Sequence, residues 1–194
     1  MIYTPRIAPF INVNFWVTSI FGPRGSGVHR AIDIASASSA GSVPLYSMGN
    51  GHVIYVNNNK DASTYGYYII YKDDTTKNAF LYAHLRDPLT LSVGDKVKIG
   101  DFIGVEGATG NVTGLHLHLE MQYLGDSDTW KYGQPLSAMI NPADFMGIPN
   151  VKGTECYYEG TPTPPTPPPP TPSKPLLIKS KFKWVLYRRK IRSR

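Results

Sequence analysis

The chain has 194 residues, enough for one domain and an appendage. Its single cysteine, Cys156, excludes an intrachain disulfide and a cysteine-rich zinc ribbon, leaving histidine and carboxylate as metal ligands. The net charge of +6 belongs to one end: residues 174 to 194 carry nine basic side chains and no acid, so the preceding 173 residues hold eleven basic against fourteen acidic residues, a net of −3.

Residues 1 to 19 read as an extended lead-in with short strands. Pro5, Pro9, Asn12 and Asn14 interrupt them, so neither a signal peptide nor a membrane span is expected. The turn-rich FGPRGSG (21 to 27) delivers VHRAIDIA (28 to 35), read as strand or extended loop with His29 and Asp33 on one side. Strand, turn and strand follow over 42 to 56, with the turn at Gly49-Asn50-Gly51. A polar loop (57 to 66) leads to the strand YYIIYKDD (67 to 74). In AFLYAHL (79 to 85), alternation groups Phe80, Tyr82 and His84 on one face and Leu81, Ala83 and Leu85 on the other. Turns at Gly94-Asp95 and Gly100-Asp101 divide 91 to 107 into short Val/Ile runs. INPADFM (140 to 146) closes the domain.

The most informative stretch is GLHLHLEM (114 to 121). A period of two places Leu115, Leu117, Leu119 and Met121 on one face and His116, His118 and Glu120 on the other, as in a half-buried strand. Short strands with glycine turns and no long amphipathic helix predict a mainly β fold, an antiparallel sheet or sandwich. Beyond it, residues 151 to 175 form a linker, Pro-rich from 161, expected to be a semi-rigid polyproline spacer. Residues 176 to 194 form a basic aromatic tail. It is suited to an anionic surface (membrane, teichoic acid or nucleic acid) or to a partner in a particle, or is simply solvated.

Four of the five histidines and Asp33 lie on strand-like segments. A catalytic zinc takes three protein ligands and keeps one position for water or substrate. Two histidines and one carboxylate fill that requirement, with two histidines left to move protons. Spacing alone leaves open whether His116 or His118 is the ligand. His52 reads as a surface or structural residue. Glu120 reads as solvated or salt-bridged, with an orienting role toward His118 as the sharper alternative.

The ordered segments FGPR (21 to 24), HRAID (29 to 33), the glycine and valine spacing from Gly41 to Val53, YAHL (82 to 85), VGDKVKIGDFIG (93 to 104), ATG (108 to 110), HLHLE (116 to 120) and Asn141-Pro142 resemble the lysostaphin-like zinc metallopeptidases, the LytM-type peptidoglycan endopeptidases. The resemblance covers about residues 15 to 146. It implies the duplicated hybrid motif of that fold over residues 20 to 150, one zinc ion held by His29, Asp33 and His118, and His84 and His116 as the catalytic pair. It also implies cleavage of peptide cross-links or bridges in bacterial peptidoglycan. Leu115 and Leu119 depart from the family's usual Pro and Phe, on the face expected to meet the core. A domain beginning near Met1 suggests a phage lysin or virion-associated wall hydrolase, or release by lysis; a bacterial protein with another export route fits the same residues. Nucleic acid is not an expected partner of the folded domain. Two other classes fit less well: an inactive LytM-like module that activates other wall enzymes or serves as a virion part usually lacks ligands that this chain retains, and a biotinyl or lipoyl carrier needs an attachment lysine that Lys60-Asp61-Ala62 does not supply.

Overall fold

The computed structural model describes residues 1–38 and 41–162. Its centre is a nine-stranded sheet. The strands are β1 (Ile2–Tyr3), β2 (Asn14–Ser19), β5 (Ala31–Ser36), β7 (Gly51–Asn57), β8 (Tyr67–Asp73), β9 (Asn78–Leu85), β10 (Lys96–Val97), β12 (Leu117–Tyr123) and β13 (Glu155–Tyr157), in the order β1-β13-β2-β5-β12-β9-β8-β7-β10. Two small sheets pair β3 (Gly22–Arg24) with β4 (Gly27–His29) and β6 (Pro44–Tyr46) with β11 (Phe102–Val105). Every pairing is antiparallel except β1 with β13, which makes the main sheet mixed. The mainly β expectation therefore holds.

Both faces of the sheet are covered. On one face Phe15, Val17, Ile32, Ile34, Ile69, Tyr71, Phe80, Tyr82, Leu117, Leu119 and Met121 join Phe10, Leu45 and Met146 in the main core. On the other, Tyr68, Ile70, Leu81 and Ala83 pack beneath Trp130 and Met139. Burial on both sides explains why β8 and β9 read as nearly unbroken apolar runs. The closing Asn-Pro has a local cause. Asn141 Oδ1 accepts the Ala143 N–H at 3.0 Å and Pro142 opens the short helix α1 (Pro142–Met146), which Gly147 ends at φ 74.

Residues 1 to 19 hold the expected short strands, two of them, and also bury Ala8, Phe10, Phe15 and Val17. Three local expectations are corrected. Residues 155 to 157, read as linker, are sheet. Strands β6 and β7, read as flanking one turn, belong to different sheets. Leu115, assigned to the core face, precedes β12 and is 37% exposed, whereas Leu117, Leu119 and Met121 are fully buried. No helix among the described residues is long and apolar enough to cross a membrane. The Pro-rich segment from 163 onward and the basic tail lie outside the described residues.

The end of β9 departs most from simple alternation. His84 has φ 61, in the left-handed region. After this residue the faces exchange: Leu85 joins Phe80 and Tyr82 in the main core, while His84 lines the cleft on the other side. The predicted grouping of His84 with Phe80 and Tyr82 is thus reversed by one backbone conformation. The segment at Gly107 lies against this kink. A Cβ there would sit 2.3 Å from the Arg86 nitrogen and 2.5 Å from the His84 carbonyl oxygen. Only glycine fits so close a backbone approach. Gly107→Ala is expected to destabilise by about 1–3 kcal/mol, lowering Tm by several degrees. Thermal unfolding of the variant checks this; an unchanged Tm would contradict the packing described.

Candidate metal and catalytic site

The site is assembled by register. Strand β12 lies between β5 and β9, and His118 stands opposite Asp33 on one side and Ala83 on the other. Directly paired residues of adjacent strands have Cβ atoms about 5 Å apart, so the sheet itself brings an imidazole and a carboxylate together across 85 residues of sequence. His118 Nδ1 lies 2.9 Å from Asp33 Oδ1. His29, the last residue of β4, brings its Nε2 to 3.3 Å from the same oxygen. One ligand atom from each of His29, Asp33 and His118 falls within 4.8 Å of the others.

The two remaining histidines flank this group. His116 is held by its backbone N–H to Gly107 O at 3.1 Å, and its Nε2 lies 3.8 Å from Asp33 Oδ1. The ring of His84 is 5.0 Å from that of His116 and 5.4 Å from that of His118. All five sequence-selected residues therefore line one cleft of about 610 Å³ with Arg24, Arg30, Tyr65 and Glu120.

Ring orientations follow from hydrogen bonding. A carbonyl oxygen only accepts, so a ring nitrogen against one must carry the proton. His29 Nδ1–H donates to Ile20 O at 2.8 Å, His84 Nδ1–H to Thr109 O at 2.9 Å, and His116 Nδ1–H to Gly114 O at 2.9 Å. Each of these rings keeps its Nε2 for the cleft. His118 is the exception: its Nδ1 faces Asp33, and its Nε2 lies 3.1 Å from Glu120 Oε1.

Charge is distributed accordingly. Burial opposes ionisation of Asp33, but hydrogen bonds from His118 and His29 outweigh it and hold the carboxyl well below the usual range. Burial alone would lower the pKa of His118. Its bonds to Asp33 and Glu120 prevail and raise it to about 9. His84 is pushed down to about 4, chiefly by burial, with the Thr109 carbonyl opposing, and is neutral at pH 7.

The donors suit a metal. Tetrahedral zinc with ligands at about 2.0–2.1 Å separates donor atoms by about 3.3 Å, close to the 3.3 Å and 2.9 Å separations about Asp33 Oδ1. Two imidazoles and one carboxylate are also a donor set that zinc accepts.

Sequence reasoning missed Tyr65, whose hydroxyl donates to Glu120 Oε1 at 2.6 Å. It lies in a polar loop without periodicity, so no pattern announced it. Glu120 is not solvated but 4% exposed and bonded to His118. His52 has a structural setting, with Nδ1 2.6 Å from Asp74 and Nε2 3.2 Å from Asp128. Cys156 is buried, and its thiol is pushed up to about 11, chiefly by that burial.

The cleft gathers four histidines and two carboxylates on a mainly antiparallel β-framework. The sequence pattern of Peptidase family M23 matches residues 27–132, more than half of the chain. This chain belongs to peptidase family M23. The peptidoglycan DD-endopeptidase ShyB of Vibrio cholerae is 38% identical over 93 residues, which is 48% of this chain and 20% of that protein. Endolysin 2638A of Staphylococcus phage 2638A is 35% identical over 100 residues, and here too the chain spans only 19% of the relative's length. Among solved structures, LytU is 30% identical with a TM-score of 0.51, covering 70% of this chain and 86% of its own. The catalytic domain of lysostaphin from Staphylococcus simulans matches in fold, with a TM-score of 0.52 at 23% identity over 70% of this chain and 93% of that one.

The His118 shift gives a pH prediction for the metal-free protein. Its folded pKa, about 9, lies above the ordinary value of about 6.5. The resulting stability is complete below pH 6.5 and is lost as pH rises through 9. Thermal unfolding of chelator-treated protein is therefore expected to show a falling advantage of wild type over His118→Gln across this window. An advantage independent of pH would contradict the charged pairing.

Proposed function

We propose that the chain is a zinc-dependent endopeptidase that hydrolyses peptide cross-links or bridges of bacterial peptidoglycan, acting at the cell wall. The convergence of His29 Nε2, Asp33 Oδ1 and His118 Nδ1 beside two further histidines, in one cleft of an M23 family chain, carries this reading. Relatives named as peptidoglycan endopeptidase and endolysin support the substrate class.

In this proposal His29, Asp33 and His118 hold one zinc ion. When bound there, zinc lowers the pKa of its water toward about 7 and polarises the scissile carbonyl. His84, neutral and with Nδ1 committed to Thr109, offers Nε2 to take the proton of the attacking water. His116, its ring fixed through Nδ1–H to Gly114 O, presents Nε2 to the cleft as the second member of the catalytic pair. The proposal divides the chain into the peptidase domain, a linker Pro-rich from 161, and the basic tail, which holds the enzyme to an anionic surface.

The test is mass spectrometry of soluble fragments released from peptidoglycans of several cross-link types. New peptide termini are expected with wild type and not after chelation or with His118→Ala. His84→Ala is expected to keep its zinc and lose about 10²–10⁴-fold in kcat. A zinc-loaded protein that releases nothing from any wall type would overturn the reading.

A further inference from the structure

We propose that Glu120 and Tyr65 are positioning residues that set the affinity of the site for its metal, with Tyr65 tying the metal ligand His118 to the catalytic candidate His84. This rests on the metal reading above; it takes up the orienting role that the sequence offered as an alternative for Glu120 and adds Tyr65, which no sequence motif singles out.

Glu120 follows His118 by two positions on β12, so both side chains project from the same face. Its carboxylate accepts two hydrogen bonds on one oxygen, from His118 Nε2 at 3.1 Å and from the Tyr65 hydroxyl at 2.6 Å. At 4% exposure it has little access to water, and a buried carboxylate is kept only where donors compensate it. The bond decides which nitrogen of His118 faces the metal. With Nε2–H committed to Glu120, the lone pair for a ligand is on Nδ1, the nitrogen beside Asp33. His29 uses the opposite arrangement, giving Nδ1–H to a backbone carbonyl. His118 is thus the one proposed ligand whose outer partner is a carboxylate, which fixes its ring and strengthens it as a donor.

Tyr65 completes the arrangement from outside the motif-bearing strands. Its ring centroid is 5.6 Å from that of His118. Its hydroxyl holds Glu120, and its backbone carbonyl accepts the N–H of His84 at 2.9 Å, at the residue where β9 kinks. One residue therefore supports the metal side of the cleft by its side chain and the proton-transfer side by its backbone. Tyr65→Phe keeps the ring and the backbone bond and removes only the hydroxyl, which separates the two contributions.

The experiment is competition for zinc between a chromophoric chelator and the full chain, for wild type, Glu120→Gln, Glu120→Ala and Tyr65→Phe. The visible spectrum of the cobalt-substituted proteins provides a second readout. Zinc affinity is expected to fall about 10–100-fold in Glu120→Ala, less in Glu120→Gln, which retains an acceptor, and least in Tyr65→Phe. The cobalt spectrum is expected to shift in all three. Thermal unfolding of the chelated proteins reports folding separately. Folded variants with wild-type affinity and spectrum would reduce Glu120 and Tyr65 to a loop tether and overturn the inference alone. A wild-type chain that binds no zinc would overturn the metal reading as well.

Discussion

The site depends on one cross-strand pair. His118 of β12 stands opposite Asp33 of β5 in an antiparallel ladder. A slip of one residue would turn His118 and Glu120 of β12 into the apolar core and bring Leu117 and Leu119 to the surface. Those leucines are fully buried, so the same packing that stabilises the sheet fixes the register that makes the site. Removing either leucine from water contributes about 1.5–3 kcal/mol. The energy that holds donor atoms within ligand distance is thus mostly hydrophobic and lies on the opposite face of the strand.

Backbone carbonyls do the finer work. Three of the four clustered histidines give their Nδ1–H to main-chain oxygens of Ile20, Thr109 and Gly114. These partners only accept, so each ring carries its proton on Nδ1 and turns Nε2 toward the cleft. His118 is held instead by two carboxylates, which the metal-free protein balances with a proton. A metal bound there would displace that proton, because a ligating imidazole must be neutral. The left-handed conformation of His84 is a local cost, of order 1–3 kcal/mol. It reverses the alternation of β9 and delivers the ring to the cleft, and the close passage of Gly107 holds it in place.

Much of this was legible in the sequence where periodicity and packing agree. The alternation of HLHLEM identified β12 and its two faces because one face is wholly buried. His29, Asp33, His84, His116 and His118 could be selected together because a metal-assisted hydrolase needs these residue types in quantity. Three things were hidden. Alternation assigned His84 to the wrong face, since a single positive φ has no signature in residue identity. Leu115 was placed in the core because the strand pattern was extended two residues before β12 begins. Tyr65 lies 55 residues from Glu120, and only the folded loop brings its hydroxyl to that carboxylate.

The central claim is that His29, Asp33 and His118 form one metal site while His84 and His116 stay free to move protons. Anomalous diffraction at the zinc edge, from crystals grown with zinc, tests it most directly. The account predicts one peak per chain, about 2 Å from His29 Nε2, an Asp33 carboxylate oxygen and His118 Nδ1, with His84 and His116 outside ligand distance. A peak ligated by His84 or His116, or no peak in this cleft at full zinc loading, would contradict it.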